Sequence, residues 1–295
     1  MTQNCMKNKA VWKEIDLSDK EIFENIGNND DGIAMFSFPS LFFWKDRYNT
    51  SFTVINGNVV ARGISDSGRC VVYFPRGLNS QVEETLKTVV SDCENGITFM
   101  PLTEKVALQI KNVFPDAEPK LLEEKCEYVY NQSDLSLLAG KKYHSKRNHI
   151  AKFTKAYDAE YLNIKENNLD ILRECAKHLY NTIENSPKDE FDSINRAIDH
   201  FSELELRACV IKVDGNCVAY SIGSSINADT ADIHFEKADR SYDGSYAFVN
   251  NQFAKHGFYD KKYLNREEDL GIEGLRKAKL SYYPCRLNKM YSIKL

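Results

Sequence analysis

The chain has 295 residues, 42% of them apolar and 28% charged, and a formal net charge of −4. Such proportions describe an ordinary globular protein with enough apolar material for two domains of usual size. They exclude a whole-molecule polyanion binder, so any affinity for nucleic acid or anionic lipid must come from local basic clusters. Met1 to Lys13 is polar and lacks an apolar signal core, and no stretch approaches the roughly 20 apolar residues needed to span a bilayer. The expectation is a cytoplasmic protein with no transmembrane segment. Eight cysteines are scattered without a CxxC pair, which reads as reduced, buried small hydrophobes and no metal site.

In the first half, Ser18 is placed to cap a short helix over Asp19 to Ile26, and Phe38 to Trp44 reads as an aromatic helix. Ser51 to Ile55 and Asn58 to Arg62 are strand-like around Asn56-Gly57, a pair suited to the two positive-φ positions of a tight hairpin. Cys70 to Phe74 follows as a third strand. Ser80 and Glu83 have capping-box spacing ahead of a helix bearing Val82, Leu86, Val89, Val90 and Cys93 on one face. Ile97 to Met100 reads as a strand, Val106, Ile110, Val113 and Phe114 as a helix, and Tyr128 to Tyr130 as a closing strand.

The second half repeats this order. Tyr161 to Ile164 is strand-like. Leu172, Cys175, Leu179 and Ile183 form one helical face, and Ile194, Ala197, Ile198 and Phe201 another. Strands at Ala208 to Val213 and Cys217 to Ile222 flank Asp214-Gly215, about 158 residues after the first hairpin turn. Then come a strand over Ala231 to Lys237, a helix from about Ser245 to His256, a strand at Lys262 to Leu264, a helix over Ile272 to Ser281 and a last strand, Lys289 to Ile293. The matching order predicts two repeats, 1–138 and 139–295, the second opened by a basic linker helix over 139–156.

This order resembles the acyl-CoA N-acyltransferase (GNAT) fold. The implied class is α+β: two GNAT-like repeats, each a mixed, mostly antiparallel sheet flanked by helices. In that fold the loop after the third meander strand leads into a helix N-terminus that holds a pyrophosphate. The matching loop here runs from Arg240 to Tyr246. It is one residue longer than the usual pattern, carries Tyr246 in place of the last small residue and adds Asp243. Arg240, Gly244, Ser245, Tyr246 and Asn250 are the residues expected to contact a donor. The corresponding Pro75-Arg76-Gly77 is shorter, so the first repeat is read as having no cofactor site.

Six basic residues and no acidic ones follow Glu273: Arg276, Lys277, Lys279, Arg286, Lys289 and Lys294. Arg276 and Lys279 share a helical face, next to the acidic run Glu267-Glu268-Asp269. Lys141 to Tyr157 is a second basic stretch. The pattern Gly274-Leu275-Arg276-x-x-Lys279-x-x-Tyr282-x-Pro284, with Arg286 and Tyr291, resembles the tail of the cytosolic C-terminal domain of bacterial phosphatidylglycerol lysyltransferases. Gly140-Lys141-Lys142-Tyr143 with Arg147-Asn148 and Phe153 resembles that family's linker helix. Asn265 to Gly271 is similar to its stand-alone relatives.

The resemblance implies transfer of an aminoacyl group from aminoacyl-tRNA, or an acyl group from acyl-CoA, to a hydroxyl or amine acceptor, with no tightly bound cofactor. Glu236, near the end of the third meander strand, is the candidate general base and Tyr282 the candidate leaving-group acid. Asn265, Glu267, Arg276, Lys279 and Arg286 are candidate substrate contacts. Lys141, Lys142, Lys146 and Arg147 form a candidate patch for tRNA or anionic lipid headgroups. His234, two residues before Glu236 on the same strand face, reads as a core histidine. The alternative is a non-catalytic module that binds RNA or an anionic membrane surface.

Overall fold

The computed structural model describes residues 10–25, 31–64, 69–93, 96–183 and 187–295. In chain order the elements are β1 (Lys13–Glu14), α1 (Lys20–Asn25), α2 (Phe38–Phe43), β2 (Ser51–Ile55), β3 (Asn58–Ile64), β4 (Cys70–Tyr73), α3 (Val82–Ser91), β5 (Ile97–Leu102), α4 (Glu104–Val113), β6 (Lys120–Leu121), β7 (Glu127–Asn131) and α5 (Gln132–Leu137). There follow α6 (His144–Ala156), β8 (Ala159–Ile164), α7 (Leu169–Thr182), α8 (Lys188–Asp199), β9 (Arg207–Val213), β10 (Asn216–Ser225), β11 (Thr230–Ala238), α9 (Ser245–His256), β12 (Tyr263–Asn265), α10 (Glu273–Leu280), β13 (Arg286–Asn288) and β14 (Tyr291–Lys294). Both hairpin turns form as their residues dictate, with Asn56, Gly57, Asp214 and Gly215 all at positive φ.

The chain folds into two compact units. The first holds 1–29, 36–126 and 289–295, with strand order β1-β2-β3-β4-β5-β14-β6. The second holds 30–35 and 127–288, with order β13-β7-β12-β11-β10-β9-β8. Each sheet is mixed and mostly antiparallel, flanked by helices, in the tandem GNAT-like arrangement. The boundary differs from the 138/139 division read along the chain. β7, whose Tyr128, Val129 and Tyr130 are buried, pairs with β12 and β13, so 127–138 belongs to the second unit. The expected strand from Lys289 to Ile293 forms as β14, shifted to Tyr291–Lys294 and paired with β5 in the first sheet, while β13, a strand just before it that the pattern did not indicate, pairs with β7 in the second. Ladder partners are chosen by complementary edges, which adjacency in sequence does not specify.

Three local expectations are corrected. Asp16, not Ser18, caps the first helical turn, with Asp19 as its reciprocal partner; Ile26, the expected end of that helix, lies outside the described residues. Ser80 does not cap α3: Asn79 accepts from the Gln81 N–H at 2.8 Å, and Glu83 pairs with Lys87. Cys175 of α7 and Cys217 of β10 are joined as a disulfide, whereas Cys126 and Cys209 are buried thiols outside any disulfide. Cys5 lies outside the described residues.

In the second unit, Phe153 of α6 packs tilted against Phe248 of α9 at 4.7 Å between ring centres, and Phe253 meets Phe258 edge-on. These rings, with Tyr130, Tyr143, Val218 and Leu264, form the centre of its core. β11 and β12 run parallel only from Thr230–Asp232 against Tyr263–Asn265. Beyond that point β11 continues to Ala238 while β12 has ended, so the sheet opens at His234. Across the other edge of β11, the register with β10 shifts at Gly223. A side chain at Gly223 would collide with the Asp232 carbonyl and approach Phe258 to 2.8 Å. Gly223→Ala is therefore expected to destabilise the protein by about 2 kcal/mol or more, measured by denaturant unfolding.

Candidate active site

The open side of the second sheet is bounded by the segment after β12, residues 265–271, which is bound at almost every step. The Arg266 N–H donates to the Tyr128 carbonyl, and the Tyr128 N–H donates to the Glu267 carbonyl. Lys279, reaching in from α10 and 7% exposed, donates to the carbonyls of both Arg266 and Glu268. The Glu267 N–H is received by Asn265 Oδ1 at 2.9 Å. Asn265 in turn donates to Glu127 at 2.6 Å and to the Gly32 carbonyl at 2.9 Å. Asp269 accepts two bonds from Arg276, at 2.7 and 3.3 Å, one from the Tyr128 hydroxyl at 2.6 Å and one from the Gly271 N–H. Glu267 is held at φ +56° and Leu270 at +54°, left-handed backbone that costs a non-glycine residue about 1–2 kcal/mol.

Behind this segment lies a buried acid–base group. His234 Nδ1 sits 3.0 Å from Asp232 and 3.9 Å from Glu267, and its Nε2 is 2.8 Å from Ser224 Oγ. Asp232 and His234 side chains are 0% and 1% exposed, but that of Glu267 is 27% exposed. Burial alone would lower the imidazole, yet Asp232 and Glu267 outweigh it and raise it to about 9. Glu267 is pushed well above the usual carboxylate range by burial and by the Asp232 charge. Burial lowers the Lys279 ammonium, opposed by Glu267, while Arg266 lowers it further. The carboxylate oxygens of Asp232 and Glu267 and an imidazole nitrogen of His234 lie within 4.8 Å of one another. Lys279 already supplies the positive charge that such a group calls for. Deeper still, burial raises Glu127 to about 7 although the Met35 and Ala34 N–H groups and Asn265 all bond to it.

Beside the opening, Glu236 pairs with Arg266 at 2.8 Å and accepts from Asn250 Nδ2 at 3.3 Å. Arg266 lies 5.2 Å from the Tyr282 ring centre, and Lys146 of α6 lies 3.9 Å over the same ring. Burial and the neighbouring Arg266 bring Lys146 down to about 8. Tyr282 is buried, which raises its hydroxyl to about 12. The candidate base, the candidate acid and the donor residue Asn250 are thus brought together with Arg266 and Lys146.

The expected pyrophosphate loop is partly bonded within itself. Its Ser241, Tyr242 and Ser245 N–H groups donate to Asp239 Oδ1, Asp239 O and Tyr242 O. Gly244 begins α9 at φ +94°, and a Cβ there would collide with the His149 carbonyl of α6 and lie 3.0 Å from Phe153. Arg240 is exposed and lies over the Tyr246 ring.

Comparison with known proteins decides the family. The family model described as phosphatidylglycerol lysyltransferase, C-terminal, matches residues 32–294. The chain belongs to this family. A crystal structure of a conserved protein of unknown function from Bacteroides thetaiotaomicron is 31% identical, with a TM-score of 0.85 over 97% of this chain and 99% of that one. L-PGS from Bacillus licheniformis is 14% identical, with a TM-score of 0.63 over 97% and 93% of the two chains. A tandem GNAT protein from the clavulanic acid biosynthesis pathway is 7% identical, with a TM-score of 0.50 over 97% and 98%. The last two show the shared fold. Among the described residues, no helix is long and apolar enough to cross a membrane.

The family's charged tail is bonded within the second unit. Arg276 and Lys279 bond to the 265–271 segment, and Asn265, within it, bonds to Glu127, the Gly32 carbonyl and the Glu267 N–H. Arg286 donates to the Asp31 carbonyl at 2.9 Å and covers the Tyr263 ring. Asp232, Ser224 and Glu127 were missed. Asp232 had a signal: with His234 and Glu236 it places a titratable residue at every second position of one strand. Asp269 yields a test. Burial alone would raise its carboxyl, yet Arg276, Tyr128 and the Gly271 N–H together hold it at about 2. A depressed acid stabilises the fold above its unfolded value near 4 and loses that contribution as pH falls towards 2. Asp269→Asn is expected to lower unfolding free energy by about 2 kcal/mol at pH 7, with the gap from the parent narrowing below pH 4 in chemical denaturation.

Proposed function

We propose that this chain transfers an aminoacyl group from an aminoacyl-tRNA to a hydroxyl or amine acceptor, using the opening between β11 and β12. The observation that carries the donor choice is the start of α9, where α6 packs on Gly244 and the Ser245 N–H is bonded to the Tyr242 carbonyl. A pyrophosphate would need that N–H group, and room where the His149 carbonyl meets Gly244. An ester at the end of an RNA needs neither. The lysyltransferase family and the opened sheet support the reaction class. The neighbouring α6 supports the donor, since Lys141, Lys142, Lys152 and Lys155 are exposed on or beside it, so phosphates would be drawn there. Arg147 lies beside that patch, with one guanidinium nitrogen donating to the Leu138 and Gly140 carbonyls. Lys146 faces the site on Tyr282, suited to a phosphate or carboxylate of a substrate. No tightly bound cofactor is needed.

In this reading Arg266 and Lys146 attract the anionic end of the donor and Asn250 orients Glu236. The acceptor is a small molecule or the headgroup of an anionic lipid approached from solution. A module that binds RNA or membrane without chemistry would retain tRNA or liposomes and turn over no donor. The test offers lysyl-tRNA, alanyl-tRNA and acetyl-CoA, each with phosphatidylglycerol vesicles and with polyamines. Transfer from an aminoacyl-tRNA but not from acetyl-CoA is expected; acetyl-CoA as the sole working donor would reject the proposal. Replacing Lys141, Lys142, Lys152 and Lys155 together by Gln should weaken tRNA binding and flatten its log–log salt slope by up to about 3. Arg147→Ala should instead lower the melting temperature.

A further inference from the structure

We propose that Glu267 is the proton-transfer residue of this site, with His234 and Asp232 as the pair that positions and tunes its carboxylate. The inference rests on the transferase reading and assigns the base to a residue other than Glu236. Glu236 is committed to Arg266 and Asn250. Glu267 occupies the place a base needs: its side chain is the solvent-reaching member of a group whose other two side chains are sealed.

The backbone bears the same mark. Glu267 is kept in left-handed conformation although two other conformations cost less, because its N–H, its carbonyl and both neighbouring carbonyls are bound to Asn265, Tyr128 and Lys279. A carboxylate aimed by strained backbone and several buried partners is a feature of working sites. The charges facing it come from each packed element. Asp232 and His234 lie on β11, Arg266 and Glu268 flank it in its own segment, and Lys279 reaches it from α10. Glu127 on β7 stands behind Asp232. Burial and the acids push Glu267 upward while His234 pulls it down, which leaves it able to exchange a proton nearer neutral pH than a free carboxylate can.

The step balances within the site. The acceptor's O–H or N–H gives its proton to Glu267 as the acceptor atom bonds to the aminoacyl carbonyl carbon. The ester bond to the ribose oxygen then breaks, and the Glu267 proton passes to that leaving oxygen. Glu267 ends as it began.

The test uses the full chain with lysyl-tRNA and phosphatidylglycerol vesicles, and with the other pairs of the donor screen if that pair is silent. Glu267→Gln is expected to lower kcat at least 100-fold with KM within a few-fold and an unchanged melting temperature. In the parent, kcat should rise with pH through an apparent value well above 4.5. His234→Asn removes the positive partner and should move that limb to higher pH. Glu267→Asp should recover part of the rate. If Glu267→Gln transfers as fast as the parent, or if the pH limb ignores His234→Asn, the assignment is wrong while the transferase reading stands. If the parent transfers from no donor, the transferase reading falls and this assignment with it.

Discussion

The second unit depends on the attachment of residues 265–271 to β7 and α10. Five backbone groups of this segment are taken up by Tyr128, Lys279 and Asn265, and its one fully buried carboxylate, Asp269, is shared by Arg276 and Tyr128. Tyrosines extend the attachment to the helix itself, since the Tyr130 hydroxyl donates to the Lys279 carbonyl and that of Tyr143 to Tyr282. Taking Lys279 out of water is costly, and its two carbonyl partners with nearby carboxylates offset that cost. Without the attachment, neither Glu267 nor Arg266 would hold a defined place beside β11.

The same economy of polar groups separates the two ends of the site. Near β12, buried donors and acceptors are spent on holding titratable side chains close together, which shifts their proton affinities in opposite directions. At the start of α9 they are spent on closing a loop. The Ser245 N–H is bonded to the Tyr242 carbonyl and α6 packs on Gly244, which leaves less of this helix N-terminus to a pyrophosphate.

Much of the fold was legible. The two hairpin turns, the amphipathic faces of α7 and α8 and the order of elements follow from short-range chemistry, and Asn-Gly and Asp-Gly turns form wherever their strands form. The strand endings were less legible, because β7 and β14 have apolar faces that would suit either sheet. The candidate site was half legible. Glu236, Asn250 and Tyr282 do converge, and Arg276 and Lys279 do turn inward. Their targets could not be read from spacing: a cation on a helical face pairs equally well with a substrate anion or with carbonyls of a loop some ten residues earlier.

The amino-acid sequence by itself determined the tandem α+β architecture and the family, since periodicity, turn residues and the basic tail are local properties of the chain. Tertiary structure decided which sheet each terminal strand joins, that Asp232, His234 and Glu267 meet, and that α6 closes the start of α9. Those outcomes rest on contacts between residues tens to hundreds of positions apart, whose burial and geometry no local pattern encodes.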